Sequence, residues 1–191
     1  MATYFSTTDF LGSLAGAVRD VFTRPTEFFR QMPQATSYKE GVILLILMLA
    51  LPILLGILFT GGLGLHLMPV MLLVAIPFAL AAAWLWAWYL SWAVRRFTGG
   101  QLSTMDAFQL YAYSNIPSLF SWVPLVNVVM GVWSIYLEWK GLTAYAGVSG
   151  GKALMIIFVP LIVLLVSGAV LAVLLGVYLA QAPQPPVERL F

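Results

Sequence analysis

The fold is decided by residues 99–117, which read GGQLSTMDAFQLYAYSNIP. Continued to about residue 121, this stretch is long enough to cross a bilayer, yet it contains Asp106, Gln109, Asn115 and two tyrosines. Unsatisfied polar groups are costly in lipid, so a span this polar is stable only when neighbouring helices cover it. The sequence therefore predicts a helical membrane bundle arranged around this stretch.

The composition is that of an integral membrane protein, because 62% of the 191 residues are hydrophobic and only 8% are charged. The formal net charge of +2 is too small to indicate a nucleic-acid partner. The absence of cysteine excludes disulfides and thiolate metal sites, and a single histidine, His66, offers no metal cluster. We therefore expect no metal and no cofactor. The expected partners are membrane lipids, with another membrane protein or a second copy of the chain as further candidates.

The predicted fold class is an all-α integral membrane protein with a five-transmembrane-helix bundle. The five spans are expected at about 41–60, 68–94, 104–121, 125–146 and 153–179. The fourth span is the ambiguous one, because its apolar part ends at Leu137 and it crosses only by running through Glu138 and Lys140. The predicted organisation is an interfacial segment over residues 1–36, a membrane domain over 37–180, and a short extracytoplasmic tail over 181–191.

The N-terminal segment is predicted to be cytoplasmic and amphipathic. Five apolar residues recur there at helical spacing: Leu11, Leu14, Val18, Val21 and Phe22. Arg19 and Asp20 are expected on the opposite side, and Pro25 opens a second short helix. Two interpretations stay open: helices that lie along the membrane surface, and helices that are packed on the protein.

Lysine and arginine placement predicts the orientation. Eight of the nine basic residues fall on one side of the five-span arrangement, which leaves only Arg189. Under the positive-inside rule, the N-terminus is expected to be cytoplasmic and the C-terminus outside. The predicted location is a bacterial inner membrane.

Asp106 has two interpretations. It could be an intramembrane carboxylate that couples to an ion or proton, or it could complete a capping box with Ser103 at the interface. The capping interpretation is favoured. Glu138 also has two interpretations: it is buried with a partner, or its side chain reaches the cytoplasmic interface.

Spacing groups the other polar residues on two helix faces. Asp106, Gln109 and Tyr113 share one face of the third span, and Asn127, Gly131, Ser134 and Glu138 follow one another on the fourth. We expect the two faces to meet in a polar seam. The candidate ligand residues are Asp106, Gln109, Tyr113, Asn115, Pro117, Asn127, Ser134, Glu138 and Lys140.

A ridge of small residues repeats every four positions on the fifth span. Its members are Gly168, Ala172, Gly176 and Ala180. Such a ridge allows close approach of a second helix, either within the chain or in a homodimer, and internal packing is favoured.

Several short motifs resemble those of the Yip family, the Ypt/Rab-interacting proteins, and its small bacterial branch in particular. The residues that carry the resemblance are Arg24-Pro25-Thr26-Glu27-Phe28-Phe29, Gly99-Gly100, Asp106-Ala107-Phe108, Ala112-Tyr113-Ser114-Asn115-Ile116-Pro117, Trp139-Lys140-Gly141-Leu142 and Ser149-Gly150-Gly151-Lys152-Ala153. Alanine replaces the glycine of the family's Gly-Tyr-Ser-x-x-Pro element at position 112. The resemblance extends from about Val21 to Ala180.

The resemblance implies a small membrane organiser. Eukaryotic members are organisers of vesicle traffic that engage Rab-type GTPases, and the long acidic N-terminal region of those members is missing here. We therefore expect a non-enzymatic scaffold or organiser of membrane partners or membrane shape. The alternative is a small transporter, channel or lipid-moving protein that uses the polar seam. An intramembrane enzyme is disfavoured, because no nucleophile–base pair can be assembled.

Overall fold

A computed structural model of the chain describes residues 4–59, 66 and 68–181. These residues form helices joined by turns, with no strand among them. The order is α1 (Phe10–Thr23), α2 (Pro25–Arg30), α3 (Lys39–Phe59), α4 (Met68–Thr98), α5 (Thr104–Ser114), a 3₁₀ helix (Ile116–Phe120), α6 (Pro124–Ala144) and α7 (Gly150–Gln181). The predicted all-α class is confirmed for this part of the chain.

Three helices in the described part are long and apolar enough to cross a membrane. They are α3, α4 and the Gly150–Leu175 portion of α7. The protein is therefore a multi-pass membrane protein by length and composition of its helices. The count of five spans goes beyond this finding and stays a prediction.

The stretch predicted as a continuous third span is broken after Ser114. Pro117 supplies no backbone N–H and disfavours helical geometry in the residue before it, so the helix cannot continue through this point. The side chains beside the break bond to the preceding turn: Ser114 Oγ donates to the Leu110 carbonyl, and Asn115 Nδ2 donates to the Tyr111 carbonyl, both at 2.9 Å. The chain then continues as the 3₁₀ helix.

Together, α5 and the 3₁₀ helix lie along α3 from its first turn to its last residue. At the beginning of α3, a Cβ added to Gly41 would lie 3.0 Å from the Phe108 ring. At the other end, the rings of Phe59 and Trp122 have centroids 5.4 Å apart. The 21 residues of α3 extend about 31 Å, so the broken stretch follows a length comparable to the hydrocarbon core.

α4 and α6 enclose α5 from two further sides. The buried Ser91 hydroxyl of α4 donates to the Leu102 carbonyl at 2.7 Å, immediately before α5 begins. On the α6 side, a Cβ added to Gly141 would lie 2.8 Å from Cγ of Leu110. Glycine at 141 therefore allows the backbones of α5 and α6 to approach closely.

α1 buries a face different from the one predicted. Its buried residues are Ser13, Ala17, Asp20 and Val21. The prediction that Asp20 lies on the outward side is wrong, because Asp20 is fully buried and accepts hydrogen bonds from the Arg24 guanidinium at 3.0 Å and from Arg19 Nε at 3.2 Å. Pairing with two guanidinium groups offsets the cost of burying this carboxylate.

The chain divides into two compact units within α7. The first unit ends at Ile156 and contains α1 to α6, and the second begins at Ile157 and contains the remainder of α7. Gly168 and Ala172 lie in the second unit, and the helix-packing role of the ridge stays a prediction. The side chains of Gly176 and Ala180 lie outside the described residues, as do most of the loop between α3 and α4 and residues 182–191 of the expected tail.

Candidate functional site

Asp106 lies in the first turn of α5, is bonded to the N-cap residue Ser103, and also holds the N-terminal segment. The Ser103 hydroxyl accepts from the Asp106 backbone N–H at 3.0 Å and donates to the Asp106 carboxylate at 2.6 Å. The other carboxylate oxygen accepts from the Ala35 backbone N–H at 2.7 Å. Ser103 therefore caps α5, with Asp106 three residues later as its partner, and the Asp106 carboxylate anchors the N-terminal segment.

Tyr113 is the second anchor of the N-terminal segment. It is 1% exposed, and its hydroxyl accepts from the Phe5 backbone N–H at 3.0 Å. Its ring packs edge-on against Phe28, with centroids 5.0 Å apart. The Tyr4 hydroxyl donates to the Phe28 carbonyl at 2.8 Å, and burial raises the pKa of Tyr4 to about 12.

Glu138 is buried among protein side chains. It is 7% exposed, and its carboxylate accepts a hydrogen bond from Nε1 of Trp86 on α4. Its electrostatic neighbour on α5 is Tyr111. Lys140 points elsewhere, with its ammonium group 4.8 Å from the centroid of the Trp139 ring.

The residues proposed for the polar seam are divided between separate surroundings. Asp106 and Tyr113 bond to the N-terminal segment, whereas Glu138 bonds to α4. Gln109 is buried, Ser134 is half-buried and Asn127 is exposed. The α5–α6 contact itself is made through Leu110 and Gly141. Two polar interactions also run between the α5 and α6 sides: Asp106 interacts with Tyr145 at the end of α6, and Tyr111 of α5 is the electrostatic neighbour of Glu138. The seam therefore stays a prediction.

Two further candidates, Asn115 and Pro117, mark the break between α5 and the 3₁₀ helix. Pro117 is buried, and Asn115 is half-buried at the wall of a cavity. This cavity lies between α3 and α4 and has a volume of about 260 Å³. Two of its walls are aliphatic and come from α3 and α4, while the third carries Tyr111, Asn115, Ser118 and Ser121.

Sequence reasoning missed four residues of these surroundings: Trp86, Tyr111, Ser118 and Ser121. Tyr111, Asn115 and Ser118 follow spacings of four and three, so the rule that grouped Gln109 and Tyr113 also identifies this second polar face. Trp86 could not be found in this way, because tryptophans recur throughout the later half of α4 and the pattern does not distinguish them.

The described residues contain no group of three or more His, Cys, Asp or Glu side chains that could hold a metal ion. The titratable groups discussed above are all engaged by partners from the protein. These polar contacts therefore support cohesion between the parts of the bundle.

The fold and its polar contacts define a class: a multi-pass helical membrane protein whose N-terminal segment is fastened to a short, capped internal helix. The family model of the Yip1 domain matches residues 19–178, which is most of the chain. The chain belongs to the Yip1-domain family, as the motifs in its sequence predicted. Comparison with curated proteins and with solved structures gave no significant match.

Proposed function

We propose that this protein is a non-enzymatic organiser of the membrane, which acts on membrane shape or on partner proteins through α1. The observation that supports the proposal is the direction in which α1 faces. Ser13 and Asp20 point into the bundle, whereas Phe10 and Leu11 face outward and Leu11 is 76% exposed. A helix that exposes large apolar side chains at a membrane surface places them at the boundary between headgroups and acyl chains.

The contacts that attach α1 give this outward face a fixed position. The Ser13 hydroxyl accepts from the Ser6 backbone N–H at 2.9 Å, near the start of the helix. At its far end, the rings of Phe22 and Trp133 stack with an interplanar angle of 7°. A helix held at both ends cannot turn its apolar face away from the lipid. We propose that it acts as a wedge in one leaflet.

Basic residues support a cytoplasmic position for this wedge. Arg95 and Arg96 are exposed at the end of α4, and Arg19 is 66% exposed on α1. Exposed cationic side chains near a membrane surface attract anionic lipid headgroups, by about 1 kcal/mol for each residue. We propose an N-terminus in the cytoplasm, a C-terminus outside and a bacterial inner membrane as the location.

The test is the Leu11→Glu variant in proteoliposomes that contain phosphatidylglycerol. A carboxylate at this position is expelled from the acyl boundary, so vesicle deformation by the protein, measured by electron cryomicroscopy, is expected to be lost. Leu11→Met keeps an apolar side chain of similar volume and is the control, with deformation expected at the level of the original protein. Equal deformation by both variants would contradict the wedge.

A transport function is the second candidate, and the buried Glu138 is the observation that favours it. Intramembrane carboxylates often mark ion or substrate pathways. Flux of a solute or lipid in proteoliposomes that is abolished by Glu138→Gln would support transport. A protein partner that crosslinks through α1 in native membranes, with no flux, would support the organiser.

A further inference from the structure

We propose that the cavity between α3 and α4 is a binding site for one membrane phospholipid. An acyl chain lies between the aliphatic side chains of the two helices, and its ester carbonyl accepts hydrogen bonds from Ser118 and Ser121. This inference does not rest on α1 or on the organiser function.

The depth of the cavity identifies the surrounding medium. On α3 it is lined from Leu45 to Ile53, which covers about 12 Å of the helix axis. Leu45 lies six residues after the first residue of α3, and Ile53 lies six residues before the last one. The cavity therefore lies beside the middle of a helix that is long enough to cross the bilayer. At that level the surrounding molecules that can enter the cavity are lipids.

The size and shape of the cavity favour a single chain. Its volume of about 260 Å³ is below the roughly 300–1,000 Å³ typical of pockets for drug-sized ligands, so it excludes a whole headgroup with its chains. The α4 side is formed by Ile76, Ala79, Leu80 and Ala83. The two alanines keep a narrow path open between larger aliphatic side chains, which suits a flexible hydrocarbon chain.

The polar wall distinguishes this cavity from an ordinary gap between helices. Its deeper residue, Asn115, is satisfied within the protein, because its side chain donates to the Tyr111 carbonyl at 2.9 Å. The Ser118 and Ser121 hydroxyls differ, since no hydrogen bond joins either side chain to any residue that the structure describes. Both hydroxyls belong to half-buried residues that line the cavity, and an ester carbonyl is the acceptor that lipid provides there.

The direction of the bound lipid follows from Ser121. This residue precedes Trp122, whose ring contacts Phe59 at the last residue of α3. Ser121 therefore marks the end of the cavity nearer a membrane interface, where ester groups of phospholipids reside. The chain then descends from Ser121 past Pro52 towards Leu45.

The test is photolabelling in proteoliposomes of phosphatidylethanolamine and phosphatidylglycerol. The probe is a phosphatidylglycerol that carries a diazirine in one acyl chain, and labelled peptides are mapped by mass spectrometry. Labels are expected to concentrate on the cavity-lining residues of α3 and α4. Ala79→Phe fills the cavity and is expected to reduce these labels about tenfold. Ala82→Phe adds the same ring to an exposed position of the same helix and is expected to leave them unchanged.

A double variant, Ser118→Ala with Ser121→Ala, tests the polar wall with little change in volume. The double variant is expected to reduce the labels on the cavity-lining residues several-fold. If circular dichroism shows that Ala79→Phe does not fold, the double variant alone tests the proposal. Cavity labels at the original level in the double variant would overturn the proposal. So would labels spread evenly over α4 and insensitive to Ala79→Phe, which indicate annular lipid only. Crosslinks from these residues to a second copy of the chain would assign the cavity to a protein helix instead.

Discussion

Asp106, Tyr113 and Glu138 each bond to a part of the chain remote in sequence. Asp106 holds Ala35, Tyr113 holds Phe5, and Glu138 accepts from Trp86 of α4. In lipid, the apolar surfaces of helices gain little by leaving one apolar medium for another, so packing and interhelical hydrogen bonds become important to association. At the scale of single residues, the polar side chains of this bundle therefore act as connections between segments.

Glu138→Leu is expected to destabilise the protein. The substitution leaves the Trp86 N–H without its acceptor, which costs about 1–3 kcal/mol for a buried donor. Glu138→Gln is the matched control, because it keeps an oxygen acceptor and nearly the same volume, and we expect a smaller loss. Thermal unfolding in detergent measures both. A Glu138→Leu protein as stable as the original would show that this hydrogen bond contributes nothing to the bundle.

At the scale of elements, the contact between α5 and α6 depends on one missing side chain. Gly141 faces Leu110 so closely that any Cβ would overlap Cγ of that leucine. The rest of α5 is fixed from several directions, with Phe108 against α3 and Ala35 against its N-terminal turn. If a side chain were added at position 141, α5 could therefore not easily move away to relieve the overlap with Leu110.

Gly141→Ala is expected to lower the free energy of unfolding by about 1–3 kcal/mol through overpacking. The matched control is Gly131→Ala in the same helix, where a Cβ meets no atom within 4 Å. Alanine there is expected to stabilise α6 by up to about 1 kcal/mol through helix propensity. Chemical unfolding in mixed micelles compares the two. A loss at position 131 equal to that at 141 would refute the close-contact explanation.

Sequence periodicity and capping signals located most of the elements, but not their partners. Ser103 and Asp106 identified the beginning of α5, because a capping box depends on neighbouring residues alone. The break after Ser114 was missed although Pro117 marks it, because the stretch up to about residue 121 has the length of a full crossing. Asp20 is buried because Arg24, one turn later, pairs with it. Glu138 pairs with Trp86 because the fold brings α6 and α4 together in space. The i,i+4 spacing of Asp20 and Arg24 is a local signal that apolar spacing alone does not carry, whereas no local pattern indicates the pairing of Glu138 with Trp86.

At the scale of the whole molecule, five crossings and three crossings place Trp122 on opposite sides of the membrane. Three helices satisfy the length and hydropathy needed to cross, and the broken stretch beside α3 follows one of them from end to end. Five crossings place the α4–α5 and α6–α7 turns on the same side of the membrane. If only α3, α4 and α7 cross, α5 and α6 enter and leave the membrane on one side. The α4–α5 and α6–α7 turns then keep the positions that they have with five crossings. Trp122, in the turn between the 3₁₀ helix and α6, moves to the same side as those two turns.

Because the chain contains no cysteine, single-cysteine variants report topology without background labelling. We expect a membrane-impermeant maleimide to reach Gln101→Cys and Ser149→Cys from the cytoplasmic side, and Trp122→Cys only from the other side. Gly64→Cys, at a position outside the described residues, provides the reference for that other side. Labelling of Trp122→Cys from the cytoplasm would reduce the five-span arrangement to three.

The Phe5–Tyr113 hydrogen bond joins residues separated by 108 positions, and it therefore has a consequence in time. A chain is synthesised from its N-terminus at about 5–20 residues per second, so Tyr113 follows Phe5 by roughly 5–20 s. Trp133, which stacks on Phe22, is made later still. During biosynthesis the N-terminal segment thus waits as a free segment beside the ribosome while the first two spanning helices enter the membrane. Its capture by α5 and α6 can follow only after Tyr113 and Trp133 have been made.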